Sequence, residues 1–212
     1  VEPTQIRDLI RKAYDRHARE RDLTDTEAWR DLLRKRFVDF LFREGKKTVL
    51  EIGAGPGHDS LYFKMRGLSV TAVDLSPEMV RLCREKGLDA DVMDVVRPDF
   101  PDERFDAIWS VNCLVHVRKA ELDRVLSELS RILKKDGIFG LGLWGGMEFE
   151  GIWDGDSYEP KRFFSFFSDS SMREAVSRHF ECLSFETWAV SDGPLHFQYM
   201  VLRKRPSRHH GG

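Results

Sequence analysis

Val49-Leu50-Glu51-Ile52-Gly53-Ala54-Gly55-Pro56-Gly57 decides how the rest of the chain is read. An apolar run carrying one acid makes a short strand. Alternating glycines end it, and a helical pattern follows to about residue 66. A strand that breaks into glycines and then a helix is the first turn of an open α/β sheet. In such sheets ligands sit beyond the carboxyl ends of the strands, where the strand order reverses. The glycines let the backbone approach a ligand closely and adopt dihedrals closed to other residues. The helix behind them points free amides at that ligand.

Outward from this turn the rhythm repeats. Residues 69–74, 89–93, 105–111 and 138–144 read as further strands. Ser76-Pro77 opens a helix, with Ser as N-cap and Pro in the first turn. Leu122, Val125, Leu126, Leu129, Ile132 and Leu133 mark another helix that stops before Gly137. Strands alternating with helices predict a parallel sheet covered on both faces. A short helix near 170–179 precedes two strand-like runs, 180–190 and 195–203, joined by Ser191-Asp192-Gly193-Pro194, which predicts an antiparallel hairpin. The expected fold is therefore α/β and Rossmann-like: a seven-stranded sheet of five parallel strands plus the C-terminal hairpin, with helices on both faces.

The first 45 residues predict a helical cap. Ile6, Leu9, Ile10, Ala13, Tyr14 and His17 recur at helical spacing, and Trp29, Leu32, Leu33, Phe37, Phe40 and Leu41 form a second stripe ending at Gly45. Thr24 with Glu27 has the form of a capping box for that second helix. The expected organisation is a single domain over 1–205: the cap (1–45), a ligand-binding core (46–145), a lid (146–169) and the C-terminal helix and hairpin (170–205). A tail follows (206–212).

The ligand is narrowed by what the loop lacks. A dinucleotide fingerprint needs Gly at the sixth position of G-x-G-x-x-G. His58 holds that place counting from Gly53, and Ser60 holds it counting from Gly55. Glu51, inside the strand, suits a cationic ammonium better than a pyrophosphate. Asp74 ends the second strand, where it can accept from ribose hydroxyls, and Asp94 ends the third, where it can accept from an adenine amino group. Amino acid, ribose and adenine together describe S-adenosylmethionine.

The sequence resembles the class I S-adenosylmethionine-dependent methyltransferases, of the small-molecule type. The likeness rests on the opening stretch and on Val70-Thr71-Ala72-Val73-Asp74-Leu75-Ser76-Pro77-Glu78-Met79. Phe105-Asp106-Ala107-Ile108-Trp109 and the segment 129–137 extend it. It covers residues 45–145 well and the termini in outline. It implies that Gly53, Ala54, Gly55 and Gly57 contact the methionine moiety and Asp74 the ribose. By the same likeness Leu75 and Met79 flank the adenine, and Asp94 and the Val95 amide lie at its edge. Ser110, Val111 and Leu114 would pass near the methyl donor. Tyr14-Asp15-Arg16-His17-Ala18 resembles a segment that brings an aromatic onto the cofactor, so Tyr14 is a candidate there, with core packing as the alternative.

Methyl transfer needs alignment and a dry pocket, and for some acceptors a base. His116, in Ser110-Val111-Asn112-Cys113-Leu114-Val115-His116, is the candidate catalytic base; orienting the next helix is its other reading. Asn112 is placed to hydrogen-bond cofactor or acceptor. Trp144, Trp153, Tyr158 and Phe163 belong to an aromatic stretch after the fifth strand that also carries Glu148, Glu150, Asp154, Asp156 and Glu159. That stretch reads as a lid for an apolar, aromatic or cationic acceptor, or as an excursion pinned into the core by its rings.

Composition sets the remaining limits. The chain has 212 residues, 41% of them hydrophobic, enough for one core. Lys+Arg number 34 against 36 Asp+Glu, a net charge of -2, so no global field draws it to nucleic acid or anionic membranes. No apolar run reaches the roughly 18 residues of a spanning helix, and the first residues lack a signal-peptide pattern. Three scattered cysteines form neither a disulfide framework nor a zinc site, which fits a reducing cytoplasm. The segment after the fourth strand lacks the Asn/Asp-Pro-Pro-Tyr/Phe of nucleobase amino-methylating enzymes and any Asp-Asn cluster, so no metal is expected. The expected function is methylation of O or N on a small molecule. The alternatives are an enzyme acting on tRNA or protein, and a non-catalytic binding module.

Overall fold

A computed structural model describes residues 2–24, 28–189 and 193–206. Strands β1 (Thr48–Ile52), β2 (Ser69–Asp74), β3 (Asp89–Val92), β4 (Phe105–Val111), β5 (Leu133–Gly145), β8 (Phe180–Ala189) and β9 (His196–Lys204) form one sheet in the order β3-β2-β1-β4-β5-β9-β8. The first five run parallel, and β9 lies antiparallel between β5 and β8. The expected fold class holds, including the hairpin. The tip of that hairpin, 190–192, lies outside the described residues.

Strand order reverses between β1 and β4, whose registers pair Val49 with Ala107 and Glu51 with Trp109. Both strands are almost wholly buried, which is why they read as continuous apolar runs and not as alternation. Helices α5 (Lys119–Ile132) and α6 (Asp169–Ser177) cover one face over a core that includes Leu50, Ile108, Leu129 and Phe139. Helices α2 (Ala28–Arg43) and α3 (His58–Met65) cover the other, where the Phe37 and Trp109 rings meet at 4.8 Å. β5 begins earlier than expected, because Leu133 already pairs with Phe105 ahead of the irregularity that separates it from the Ala107–Ile138 pair.

Helix α1 (Pro3–Leu23) lies across helix α4 (Pro77–Glu85). Ile6 and Ile10 pack on Phe163 and Leu75, and Ala18 packs on Met79 and Leu82. One expectation about the cap rests partly on residues outside the described ones, and one is corrected. Thr24 is the C-cap of α1, donating its hydroxyl to the Glu20 carbonyl at 2.9 Å, while Glu27 lies outside the described residues. Leu32 is 52% exposed; the buried face of α2 runs through Leu33, Phe37, Val38 and Leu41.

Segment 146–169 contains an unexpected two-stranded sheet. β6 (Phe149–Ile152) pairs antiparallel with β7 (Phe163–Phe166), Phe149 opposite Phe166. No tight-turn signal announces it, since ten residues separate the strands, and β7, buried along its whole length, shows no alternation. Phe164, Phe166 and Phe167 join the main core, so these rings anchor the segment. Among the described residues no helix is long and apolar enough to cross a membrane.

Candidate active site

A pocket of about 400 Å³ opens at the carboxyl ends of β1, β2 and β4. Residues 53–56 form one wall, Asp74 and Leu75 the next, and residues 93–96 and 111–113 the others. Helix α1 lies over it, presenting Ile6, Ile10, Tyr14 and Arg21.

The glycine turn is built by positive φ angles. Gly53, at φ +69°, donates its amide to the Val73 carbonyl at 2.8 Å, and an added Cβ would stand 2.4 Å from the Cys113 Cβ. Gly55, at φ +56°, donates to Asp74 Oδ2 at 2.8 Å, and an added Cβ there would meet nothing within 4 Å. Asp74 Oδ1 accepts from the Ser76 amide at 2.8 Å. Each Asp74 oxygen thus keeps a lone pair for a further donor. Burial raises the Asp74 pKa, with the two backbone amides pulling the other way. Ser76 caps α4, accepting from the Met79 amide, and donates its hydroxyl to Asp15 of α1 at 2.5 Å.

Several of the expected residues lie off the pocket wall. Gly57 is the N-cap of α3 and packs on Cys83 and Leu88, off the pocket wall. Glu51 is buried behind the turn and accepts a short hydrogen bond from the Ser60 hydroxyl. Burial, then the neighbouring charge of Asp59, pushes Glu51 up to about 8. Met79 packs on Ala18 and Leu82, while Leu114 and Ser110 are fully buried off the wall. Ala54, Leu75, Val95, Val111 and Asn112 do line the pocket. So does Asp94, but it forms a 2.7 Å ion pair with Arg7, whose other arm bonds Glu121 at 2.6 Å. Helix α1 is clamped at this end.

Beneath the turn lies a charged cluster that local sequence does not announce. Asp59 is 0% exposed, bonded by Arg30 at 2.8 and 3.1 Å, by Arg34 at 3.3 Å and by the Trp109 indole at 2.8 Å. Burial alone would raise its pKa; the arginine charges and these bonds outweigh burial and lower it. The cluster fixes the start of α3 against β4 and α2.

His116 arrives by way of a left-handed residue. Asn112, at φ +58°, ends β4, and a 3₁₀ turn over Leu114–His116 carries the imidazole towards α1. Its Nδ1 lies 2.7 Å from the Phe163 carbonyl, which only accepts, so Nδ1 carries the proton. The Tyr14 hydroxyl then donates to Nε2 at 2.7 Å and accepts from Arg162 at 2.9 Å. Asp156 holds Arg162. Burial pushes His116 down to about 3, against the pull of the Phe163 carbonyl. Both ring nitrogens are therefore engaged, Nδ1 by Phe163 and Nε2 by Tyr14, and in this arrangement the imidazole, which lines the pocket, positions Tyr14.

The depressed pKa has a measurable consequence. The unfolded chain binds a proton at His116 below about pH 6.5 while the folded chain does not, so this group makes stability fall as pH drops from 6.5 towards 3. Urea unfolding should show a loss of about 2 kcal/mol between about pH 7 and pH 5 from this group alone. The loss should be absent from His116→Gln.

On the acceptor side, Trp144, Asn112 and Tyr158 line the pocket, whereas Trp153 and Phe163 do not. Trp153 packs on Phe149 and Phe166, and Phe163 packs on Ile6 and Ile10. None of the lid's acids lines the pocket: Asp156 is bound to Arg162, Glu148 to Lys119 and Glu150 to the Lys119 amide. Among the described residues no group of three or more His, Cys, Asp or Glu is placed to hold a metal ion. The sequence did carry one unused signal. Arg7, Tyr14 and Arg21 stand seven residues apart on α1, two helical turns each, and so share the face that covers the pocket.

Residues 49–137 match the family described as "Methyltransferase domain". The chain is 32% identical over 124 residues to a sterol 24-C-methyltransferase of Gibberella zeae, covering 54% of this chain and 31% of the relative. It is 34% identical over 95 residues to the demethylmenaquinone methyltransferase of Tropheryma whipplei, covering 43% of this chain and 39% of that one. It therefore spans well under half the length of these relatives. The Burkholderia thailandensis 1,6-didemethyltoxoflavin-N1-methyltransferase, solved with S-adenosylhomocysteine, shares the fold with a TM-score of 0.75 at 22% identity, over 97% of this chain and 92% of that one.

Proposed function

We propose that this chain, which carries a class I S-adenosylmethionine-dependent methyltransferase domain, transfers a methyl group from S-adenosylmethionine to an oxygen or nitrogen of a small-molecule acceptor. The observation that carries the reading is the pairing of Asp74 with the Gly55 amide at 2.8 Å on the wall of the pocket. The residues fit the cofactor part by part. The free lone pairs of Asp74 suit a ribose diol. The open side of Gly55 leaves room for the amino-acid chain, and Leu75, Met93 and Val95 offer an apolar slot for adenine with Asp94 at its rim.

When bound, the cofactor supplies a methyl group already activated on a sulfonium. The chain's task is to align the acceptor for in-line displacement and to exclude water. Tyr14 serves both ends. Its hydroxyl is fixed by His116 and Arg162, and burial raises its pKa and keeps the phenol protonated, against the charges of Arg162 and Arg21. Its ring meanwhile closes α1 over the pocket. A small acceptor suits a 400 Å³ space covered by α1 and bounded by Tyr158.

Titration calorimetry tests the reading. The wild type should bind S-adenosylmethionine and S-adenosylhomocysteine but not NAD. Asp74→Ala should weaken both by about 1–3 kcal/mol, and more if the Gly55 turn loosens with it. A wild type that binds neither sulfur compound would overturn the assignment.

A further inference from the structure

If the chain transfers methyl groups as proposed, the charges around the pocket constrain its acceptor. Most charges there already have partners. Arg7 is held by Asp94 and Glu121, Arg30 by Asp59, and Glu20 meets His17 at 2.9 Å. Asp74 is engaged by two backbone amides. The lid acids, which an ammonium-bearing acceptor would need, lie off the wall.

Arg21 differs. Among the described residues no carboxylate lies within ion-pair distance of it, a feature it shares on the wall with Arg118, but of the two only Arg21 stands among pocket rings. One terminal nitrogen donates to the Tyr158 hydroxyl at 3.1 Å, and the guanidinium carbon is 5.5 Å from the centre of the Tyr14 ring. Its Nε is buried and has no hydrogen-bond partner, although the side chain lines the pocket. A buried donor left without an acceptor costs free energy, which a ligand can recover. The planar fork of a guanidinium matches a carboxylate in bidentate fashion. Rings frame the place: Tyr14 beside Arg21, Tyr158 bonded to it, and His17 stacked on Tyr158 at 4.1 Å.

We propose that Arg21 binds a carboxylate of the acceptor, so that the substrate class is a small, ring-containing organic acid seated between Tyr14 and Tyr158. This assignment rests on the methyl-transfer function proposed for the same pocket. The charge of Arg21 also reaches Asp74 on the cofactor wall, so the cofactor's own carboxylate is the competing occupant, and its loss in the variant is one outcome of the test. The side-chain contacts of Arg21 are with Tyr158 and the Tyr14 ring, which favours an acceptor seated between those two rings.

The test uses the full chain saturated with S-adenosylhomocysteine and three matched probes: 4-hydroxybenzoate, 4-hydroxybenzamide and tyramine. Calorimetry should show the carboxylate binding about tenfold or more tighter than the amide or the amine. Arg21→Gln should erase the preference and Arg21→Lys should keep part of it. No carboxylate preference in the wild type, or an equal preference in Arg21→Gln, would overturn the proposal. So would an Arg21→Gln variant that loses S-adenosylhomocysteine affinity while binding 5′-methylthioadenosine normally, since that pattern assigns Arg21 to the cofactor's carboxylate. A wild type that fails to bind S-adenosylhomocysteine at all is a separate result, and it removes the methyl-transfer function itself.

Discussion

Asp59→Ala should lower the unfolding free energy by about 3–5 kcal/mol in urea at neutral pH. The size comes from the groups left behind. Asp59 has no solvent exposure, and its removal takes a buried carboxylate from Arg30 and Arg34, only 21% and 12% exposed, and unpairs the Trp109 indole. Asp59→Asn should cost less, because an amide oxygen still accepts from the indole and one guanidinium. A loss in the Ala variant below about 1 kcal/mol, the range of an exposed pair, would mean that the cluster is solvated and does not fix α3. The same variant bears on Glu51, since Asp59 is the second cause of its raised pKa after burial. With Asp59 gone, Glu51 should titrate lower.

Gly55→Leu should abolish measurable S-adenosylmethionine binding, a loss of more than about a hundredfold, while leaving the chain folded. Two costs are separable here. A non-glycine residue at φ +56° costs about 1–2 kcal/mol of backbone strain, which a stable domain survives. The new side chain meets no protein atom within 4 Å of its Cβ and so enters the open pocket. Gly53→Leu makes the contrast, because there the Cβ collides with Cys113 at 2.4 Å and the fold itself should suffer. Calorimetry and circular dichroism on both variants check the pair. If Gly55→Leu binds the cofactor normally, the pocket beside the turn is not its site.

Much of the fold was legible because it is coded locally. Strand runs at 48–52, 69–74 and 105–111, the Ser76-Pro77 helix start and the last helix and hairpin all stand where periodicity and turn chemistry put them. Each depends on neighbours a few residues away. The β6–β7 sheet escaped because its strands are long separated and one is buried throughout, so neither a turn nor an alternation marks it. In the site, Asp74, Leu75, Asp94, Val95, Asn112 and Tyr158 stand on the pocket wall, whereas Glu51, Gly57, Met79, Ser110 and Leu114 do not. The difference is direction. Residues next to a strand end are easily placed near a ligand, but whether a side chain faces it depends on the helix packed behind. Ser60 of α3 engages Glu51, and Ala18 of α1 engages Met79.

The glycine turn and the acid one strand later were therefore determined by the sequence, together with the sheet they imply, since strands, turns and caps answer to spacing along the chain. The partners were decided by tertiary structure alone. Tyr14 meets His116 across 102 residues and Arg162 across 148, Asp59 meets Arg30 across 29, and Arg21 meets Tyr158 across 137. Such pairs follow from strand order and from how α1 lies over the sheet, and no local propensity records either.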